Sequence, residues 1–369
     1  MELIYQEEKE VQPIYDMYQE IFEDPEDFAK YYFEEVYATN QVLLARKDDK
    51  ILGMIHLNPY HISAGDKTYT LNYIVAVAVW KQYRRQGIMA AMLKKCLNDM
   101  HEQKQPFTYL MPADRAYYEP FQFTFVMDWE ESMIDDSGEN ANNSFTPSKK
   151  AGIFKAEEEQ YEDIRAFLEE FMTKYKIYTI PDIQYLKRLS KESQSGSGNL
   201  MTYYEDGKLQ GVFAESFEED EVYIRWAYSL KPDDMLDQLR LRYKGRKIYI
   251  TEGNLTKGKK IPKIMARITN LKAWEEILHG KNDFSFSILI RDPYIQDHNG
   301  VFQFKCLNHK ISIQRVNTAQ GEAAEWEDEI SIDELTQVFF DYNAGQILKQ
   351  HEYLKDIVPA GPIYISEEV

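Results

Sequence analysis

Between Asp66 and Asp99 the chain carries no acidic residue, although its formal net charge is −19. Inside that gap lies "NYIVAVAVWKQYRRQGIMAAMLKKCLNDM", Asn72 to Met100. An apolar strand runs into Arg84-Arg85-Gln86-Gly87, and a helical pattern follows with Met89, Leu93, Cys96, Leu97 and Met100 on one face. A strand turning directly into an amphipathic helix commits this region to a layered unit of sheet and helix. The turn itself is built for an anion. A helix start offers unpaired N–H groups and a partial positive charge. Gly87 allows close backbone approach, and Arg84 and Arg85 can pair with phosphate oxygens. Lys81, Lys94 and Lys95 add local positive charge. The arrangement suits a pyrophosphate held by backbone amides; neither G-x-x-x-x-G-K-[ST] nor G-x-G-x-x-G occurs.

The remainder of the chain is acidic, with 62 Asp and Glu against 43 Lys and Arg over 369 residues. That length allows two or three domains. The negative field opposes nucleic-acid binding and attracts cationic small molecules. No apolar run is long enough to span a bilayer. The N-terminus, "MELIYQEEKE", has no basic region followed by an apolar run, so no secretory leader is expected. Cys96 and Cys306 lie far apart and are expected reduced, in a cytoplasmic protein.

Periodicity predicts early helices from Glu7 to Tyr37, then a hairpin turning at "KDDK". "DDSGENANNSFTPSKKAG", Asp135 to Gly152, reads as a linker. Beyond it the order of elements repeats. "DGKLQGVF" echoes "DDKILGMI", aligning Lys208 with Lys50 and Gly211 with Gly53. "KESQSGSGN", just before, reads as a mobile loop. The second copy enters its helix through Pro232, Asp233 and Asp234, where carboxylates fill and repel the anion position. From about Lys260 a third, α+β region begins. The predicted domains are therefore 1–150, 151–260 and 261–369.

"VAVAVWKQYRRQGIMAAMLKKC" resembles the acetyl-CoA motif of GNAT N-acetyltransferases, [QR]-x-x-G-x-[GA], with Met89 in place of the usual last small residue. The two arginines and three-part layout make the whole chain similar to the Eis (enhanced intracellular survival) type. The resemblance implies a mixed α+β and α/β fold: two tandem GNAT-like domains, the second not binding CoA, and a C-terminal sterol-carrier-protein-like α+β domain. "IMARITNLKAWEEIL" and "SIDELTQVFFDYNAGQIL" look like that last domain.

Carried over residue by residue, the resemblance puts Val77, Ala78 and Val79 against the acetyl and pantetheine arm. Arg84, Arg85, Gln86, Gly87, Ile88, Met89 and Ala90 form the pyrophosphate loop, and Ala113 and Asp114 make a further CoA contact. Tyr118 of "YYEPFQF" matches the family's general acid, and the terminal carboxylate, here of Val369, its general base. Such groups suit direct attack of an amine on a thioester, with a carboxylate to take a proton, a strand N–H near Val79 for the oxyanion and a phenol for the thiolate. No metal is required, and the seven histidines show no metal-ligand spacing. Phe28, Tyr31, Tyr32, Phe33 and Tyr37 read first as a core stripe and second as an acceptor-pocket wall. Glu34 and Glu35 read as a solvated face.

The sequence therefore predicts an acetyl-CoA-dependent N-acetyltransferase acting on a primary amine of a cationic small molecule, aminoglycoside-like or a polyamine. No nucleic-acid or membrane partner is expected, and the resemblance implies a homo-oligomer. The rival readings are a CoA- or acyl-binding regulatory module without turnover and a lipid-binding carrier.

Overall fold

A computed structural model describes residues 1–7, 10–135, 151–316 and 325–367. The predicted linker falls almost wholly outside them. Its described ends are the last residue of one strand and the first two of the next.

The N-terminal unit begins with β1 (Glu2–Tyr5), α1 (Val11–Phe22) and α2 (Glu26–Tyr31). β2 (Gln41–Lys47), β3 (Lys50–Ala64) and β4 (Lys67–Val79) follow as an antiparallel meander. α3 (Ile88–Glu102) then leads to β5 (Phe107–Leu110), parallel to β4. α3 buries Ile88, Met92, Leu93, Cys96, Leu97 and Met100, while Met89 is half-buried at its edge. β6 (Thr124–Asp135) ends the unit.

The second unit runs β7 (Ala151–Lys155), α4 (Tyr161–Met172), β8 (Ile177–Thr179), α5 (Ile183–Ser195), β9 (Leu200–Glu205), β10 (Lys208–Glu218), β11 (Glu221–Ser229), α6 (Pro232–Arg242) and β12 (Lys247–Gly253). The echoed glycines occupy matching places. A Cβ on Gly53 would lie 2.8 Å from the Ala78 carbonyl and 2.9 Å from Met92 Cε. One on Gly211 would lie 3.0 Å from the Tyr228 carbonyl and 2.5 Å from Met235 Sδ. In each unit a strand thus passes too close to its neighbour and to a helix methionine for any side chain.

The sheet is continuous from one unit to the other, in the order β1-β2-β3-β4-β5-β13-β6-β12-β11-β10-β9-β7, where β13 is Lys259–Ile268. β13 inserts antiparallel between β5 and β6, and β6 pairs antiparallel with β12. A strand from beyond the second unit therefore completes the sheet edge of the first. "KIPKIMARI", placed by the sequence at the start of the third region, is this strand. Its buried residues, from Ile264 to Ile268, mark a central position.

A second sheet forms a half-barrel in the C-terminal region. β14 (His279–Gly280), β15 (Phe284–Arg291), β16 (Gly300–Leu307), β17 (Lys310–Arg315), β18 (Asp328–Ser331) and β19 (Ile357–Val358) join in the order β18-β15-β16-β17-β14-β19. α7 (Ile332–Phe340), opened by a Ser331–Glu334 capping box, packs its apolar face against β6 and β13. The tail then crosses back: β20 (Ile363–Tyr364) pairs with β8. The whole is a mixed α+β fold with this second sheet appended.

Candidate active site

β4 carries an irregularity that periodicity did not reveal. Its register with β3 goes from Ala78↔Met54 to Val75↔His56, so Ala76 and Val77 stand opposite Ile55 alone, and Ala76 has φ +48°. This is a β-bulge, which breaks the ladder and re-aims backbone groups. The same device recurs in the second unit, where Trp226 has φ +60° and the β10–β11 register shifts between Val212 and Ala214. On its other side β4 meets β5 at a single register pair, Tyr73↔Tyr109. Val77, Ala78 and Val79 lie past that pair, where no partner strand lies on that side among the described residues.

The chain then turns through a short 3₁₀ segment, Lys81–Tyr83, into the arginine loop. Arg85 adopts φ +62° and Gly87 φ +79°, both left-handed. Gly87 precedes α3, whose start has no side-chain cap and no acid in its first turn. Nothing lies within 4 Å of where a Gly87 Cβ would be. Arg84 donates to the Val79 carbonyl at 3.0 Å, while Arg84, Arg85, Gln86 and Gly87 are exposed. Among the described residues no carboxylate pairs with either arginine, whereas Lys95 is held by Asp99 at 2.9 Å. An open helix start, uncapped amides and two guanidiniums without a carboxylate partner among the described residues fit a pyrophosphate. In α6, by contrast, Pro232, Asp233 and Asp234 fill the first turn.

Ala113 and Asp114 lie exposed after β5, and the Asp114 carboxylate accepts from the Ala116 N–H at 2.9 Å. Two 3₁₀ turns, Arg115–Tyr117 and Glu119–Phe121, then carry the tyrosine pair. Tyr118 is 9% exposed and meets Phe123 edge-on at 6.1 Å, whereas Tyr117 is 59% exposed. Burial pushes the Tyr118 phenol up to about 12. The turn is anchored from outside its own unit. Buried Arg267 of β13 donates to the Phe121 carbonyl at 2.8 Å, and the Tyr294 hydroxyl donates to the Pro120 carbonyl at 2.9 Å.

A cleft of about 750 Å³ opens between the two units. Asp24, Phe28 and Trp129 line one side, and Glu192, Ser193, Glu215 and Arg225 the other. Glu131 and Glu218 also face it, so its carboxylates outnumber its cations, Arg225 and Lys263. The segment read as a mobile loop is in fact largely helix. Lys191 to Ser195 form the last turns of α5, with Ser193 donating to the Leu189 carbonyl at 2.9 Å. Serine-rich composition hid that turn, because its hydroxyls bond the helix's own backbone. The aromatic stripe divides. Tyr32 and Tyr37 are buried around His56, which Tyr32 meets at 2.8 Å, while Phe28 faces the cleft. Burial drives His56 down to about 3, so it is a neutral core residue. Glu34 and Glu35 are exposed.

The C-terminal tail reaches the same interior. The Trp129 indole donates to the Ile365 carbonyl at 3.4 Å, and Ser366 Oγ lies 2.9 Å from the Tyr185 hydroxyl. Glu367 is 2% exposed. Val369 lies outside the described residues. Among the described residues no group of three or more His, Cys, Asp or Glu could hold a metal. Among the described residues no helix is long and apolar enough to cross a membrane.

Residues 2–126 match the model of an acetyltransferase (GNAT) domain. No curated protein matches the chain significantly. Solved structures resemble it along nearly its whole length at low identity. A conserved protein of unknown function from Enterococcus faecalis V583, described as a probable N-acyltransferase, is 18% identical with a TM-score of 0.77, over 97% of this chain and 93% of that one. A GCN5-related N-acetyltransferase from Anabaena variabilis is 14% identical with a TM-score of 0.73, over 99% of both chains. Eis1 from Mycobacterium abscessus is 9% identical with a TM-score of 0.66, over 98% of this chain and 94% of that one. At these identities the likeness is one of fold.

Proposed function

We propose that this chain, whose residues 2–126 match an acetyltransferase (GNAT) domain, is an N-acetyltransferase that moves acetyl from acetyl-CoA to a primary amine of a polycationic small molecule, a polyamine or an aminoglycoside-like compound. The observation that carries the acceptor class is the acidic, aromatic-edged cleft between the units. Five carboxylates against two cations in one cleft suit a ligand with several ammonium groups, and the half-buried Phe28 ring lines the same opening.

In this reading the chain is of the Eis type, working in the cytoplasm as a homo-oligomer. Its domains are 1–150 for catalysis, 151–260 as a GNAT-like unit without CoA, and 261–369 as a sterol-carrier-protein-like domain. Arg84, Arg85 and the amides from Gln86 to Ala90 hold the pyrophosphate, with Ala113 and Asp114 at its flank. The backbone of Val77 to Val79 receives the pantetheine arm, and the bulge at Ala76 and Val77 frees an N–H for the oxyanion. Tyr118, kept protonated by burial, gives its proton to the departing thiolate. The terminal carboxylate of Val369 serves as the general base toward the amine. What supports that role is the burial of Ile365 to Glu367, with Ile365 bonded to Trp129 and Met127 of β6.

Thiol release from acetyl-CoA, measured with a polyamine, an aminoglycoside and a neutral monoamine, tests the reading. Turnover is expected with the polycations and little with the monoamine. CoA binding without thiol release on any amine would make the protein a regulatory module instead.

A further inference from the structure

Glu367 is a buried carboxylate with no evident structural purpose. No hydrogen bond of ordinary geometry reaches either of its Oε atoms, although the hydroxyls of Thr179 and Tyr109 face it. Burying a poorly paired carboxylate is costly. The tail does not need it for anchorage, because Ile365 and Ser366 already bond Trp129, Met127 and Tyr185.

Glu367 shares a small chamber with Tyr31, Tyr60, Tyr185, Arg188, Glu192 and Arg225. Glu192 and Arg225 also line the large cleft, and they pair with each other at 2.6 Å. One ion pair therefore lines both the cleft and the chamber.

We infer that Glu367 is the group on which the acceptor's ammonium proton comes to rest, delivered from the cleft past the Glu192–Arg225 pair. The inference depends on the cleft being the acceptor site. A terminal carboxylate with an ordinary pKa of about 3.5 is a poor resting place for that proton. Burial raises Glu367 to about 7, where a group exchanges protons readily at neutral pH. One proton of the ammonium ends on Glu367, leaving a free amine. Its nitrogen bonds the thioester carbonyl carbon as the C–S bond breaks. The nitrogen's second proton replaces the one Tyr118 gives to the thiolate, and Glu367 returns its own to solvent. One proton is released per turnover.

The pH dependence follows from what surrounds the carboxylate. Burial pushes the phenols of Tyr31, Tyr60, Tyr109 and Tyr185 far above neutrality, so they stay uncharged. Arg188 and Arg225 are guanidiniums and stay charged. Beside Glu367, Glu192 is the other carboxylate lining the chamber among the described residues.

The test is thiol release by the full-length protein with spermidine between pH 5.5 and 9, for the wild type, Glu367→Gln and Glu367→Asp. Glu367→Gln is expected to lower kcat at pH 7 by about 100-fold and to lose the acidic limb centred near 7. Its KM for acetyl-CoA should stay within about twofold and its Tm should hold or rise, since a buried amide needs no charge solvation. Glu367→Asp should recover part of the rate. An unchanged kcat and acidic limb in Glu367→Gln overturns the inference alone. So does a loss of rate accompanied by a lower Tm and weaker acetyl-CoA binding, which marks a tail anchor. A wild type that acetylates no amine overturns the acceptor reading as well.

Discussion

Tyr73 of β4 and Tyr109 of β5 form the single register pair between those parallel strands, with their rings 5.5 Å apart. β5 turns its other edge to β13, pairing from Phe107 to Leu110. The two strands are therefore joined at one end and parted at the other, which leaves the bulged stretch of β4 open beside the arginine loop.

Arg84 and Arg85 are exposed and unpaired by carboxylates, so replacing them should cost affinity and not folding. The double change to alanine is expected to raise the KM for acetyl-CoA by roughly 10–100-fold, with kcat changed little, because charge-assisted bonds contribute about 1.5–3 kcal/mol. Steady-state kinetics at two salt concentrations checks this. The wild type should lose affinity in salt and the double variant should not.

Tyr118→Phe keeps the ring against Phe123 and removes the hydroxyl alone. We expect kcat to fall by about 10²-fold or more, with acetyl-CoA affinity unchanged. Equilibrium binding beside turnover separates the two quantities. Equal turnover in the variant removes Tyr118 as the acid.

The Tyr118 turn hangs on a buried ionic group. Arg267 is fully buried, bonds Asp292, and donates to the Phe121 carbonyl, while Asp292 holds His298 at 2.8 Å. Burial works to raise Asp292, but the His298 bond and the Arg267 charge bring it down to about 2. Arg267→Ala strands that carboxylate and should cost about 3–5 kcal/mol, read as a lower denaturant midpoint. In the wild type the stability that Asp292 contributes is present above its unfolded pKa, near 3.8, and is lost as pH falls toward 2.

Glu367 has the opposite sign. Its folded pKa is raised from 4.5 to about 7, so its stabilising share is complete below 4.5 and disappears as pH rises through 7. The change should be on the order of 3 kcal/mol, from about 1.4 kcal/mol per pKa unit. Chemical denaturation at pH 5 and pH 8 should show it in the wild type and not in Glu367→Gln.

Much of the first unit was legible because its signals are local. The charge gap, the turn glycine and the helix period each need only neighbouring residues, and Gly53 and Gly211 betrayed the repeat because close strand packing excludes any side chain. The bulge at Ala76 was not legible. Alanine has no turn preference to announce a φ of +48°, and a hydrophobic strand reads the same with or without one extra residue. The cleft was hidden too, since Phe28, Glu131, Glu192 and Arg225 come from four distant segments.

By itself, the sequence determined the anion loop and the tandem order of elements, for amide exposure, backbone permissiveness and amphipathic period are written within a few residues. Only the tertiary structure decided that β13 would complete the first unit's sheet and that the tail would bury Glu367 beside Tyr109. Those placements depend on contacts between segments 100 or more residues apart, whose energy is spread over apolar surface with no motif to mark it. The proton chemistry rests on them, because a carboxylate acquires a pKa near 7 from its burial and not from its neighbours in sequence.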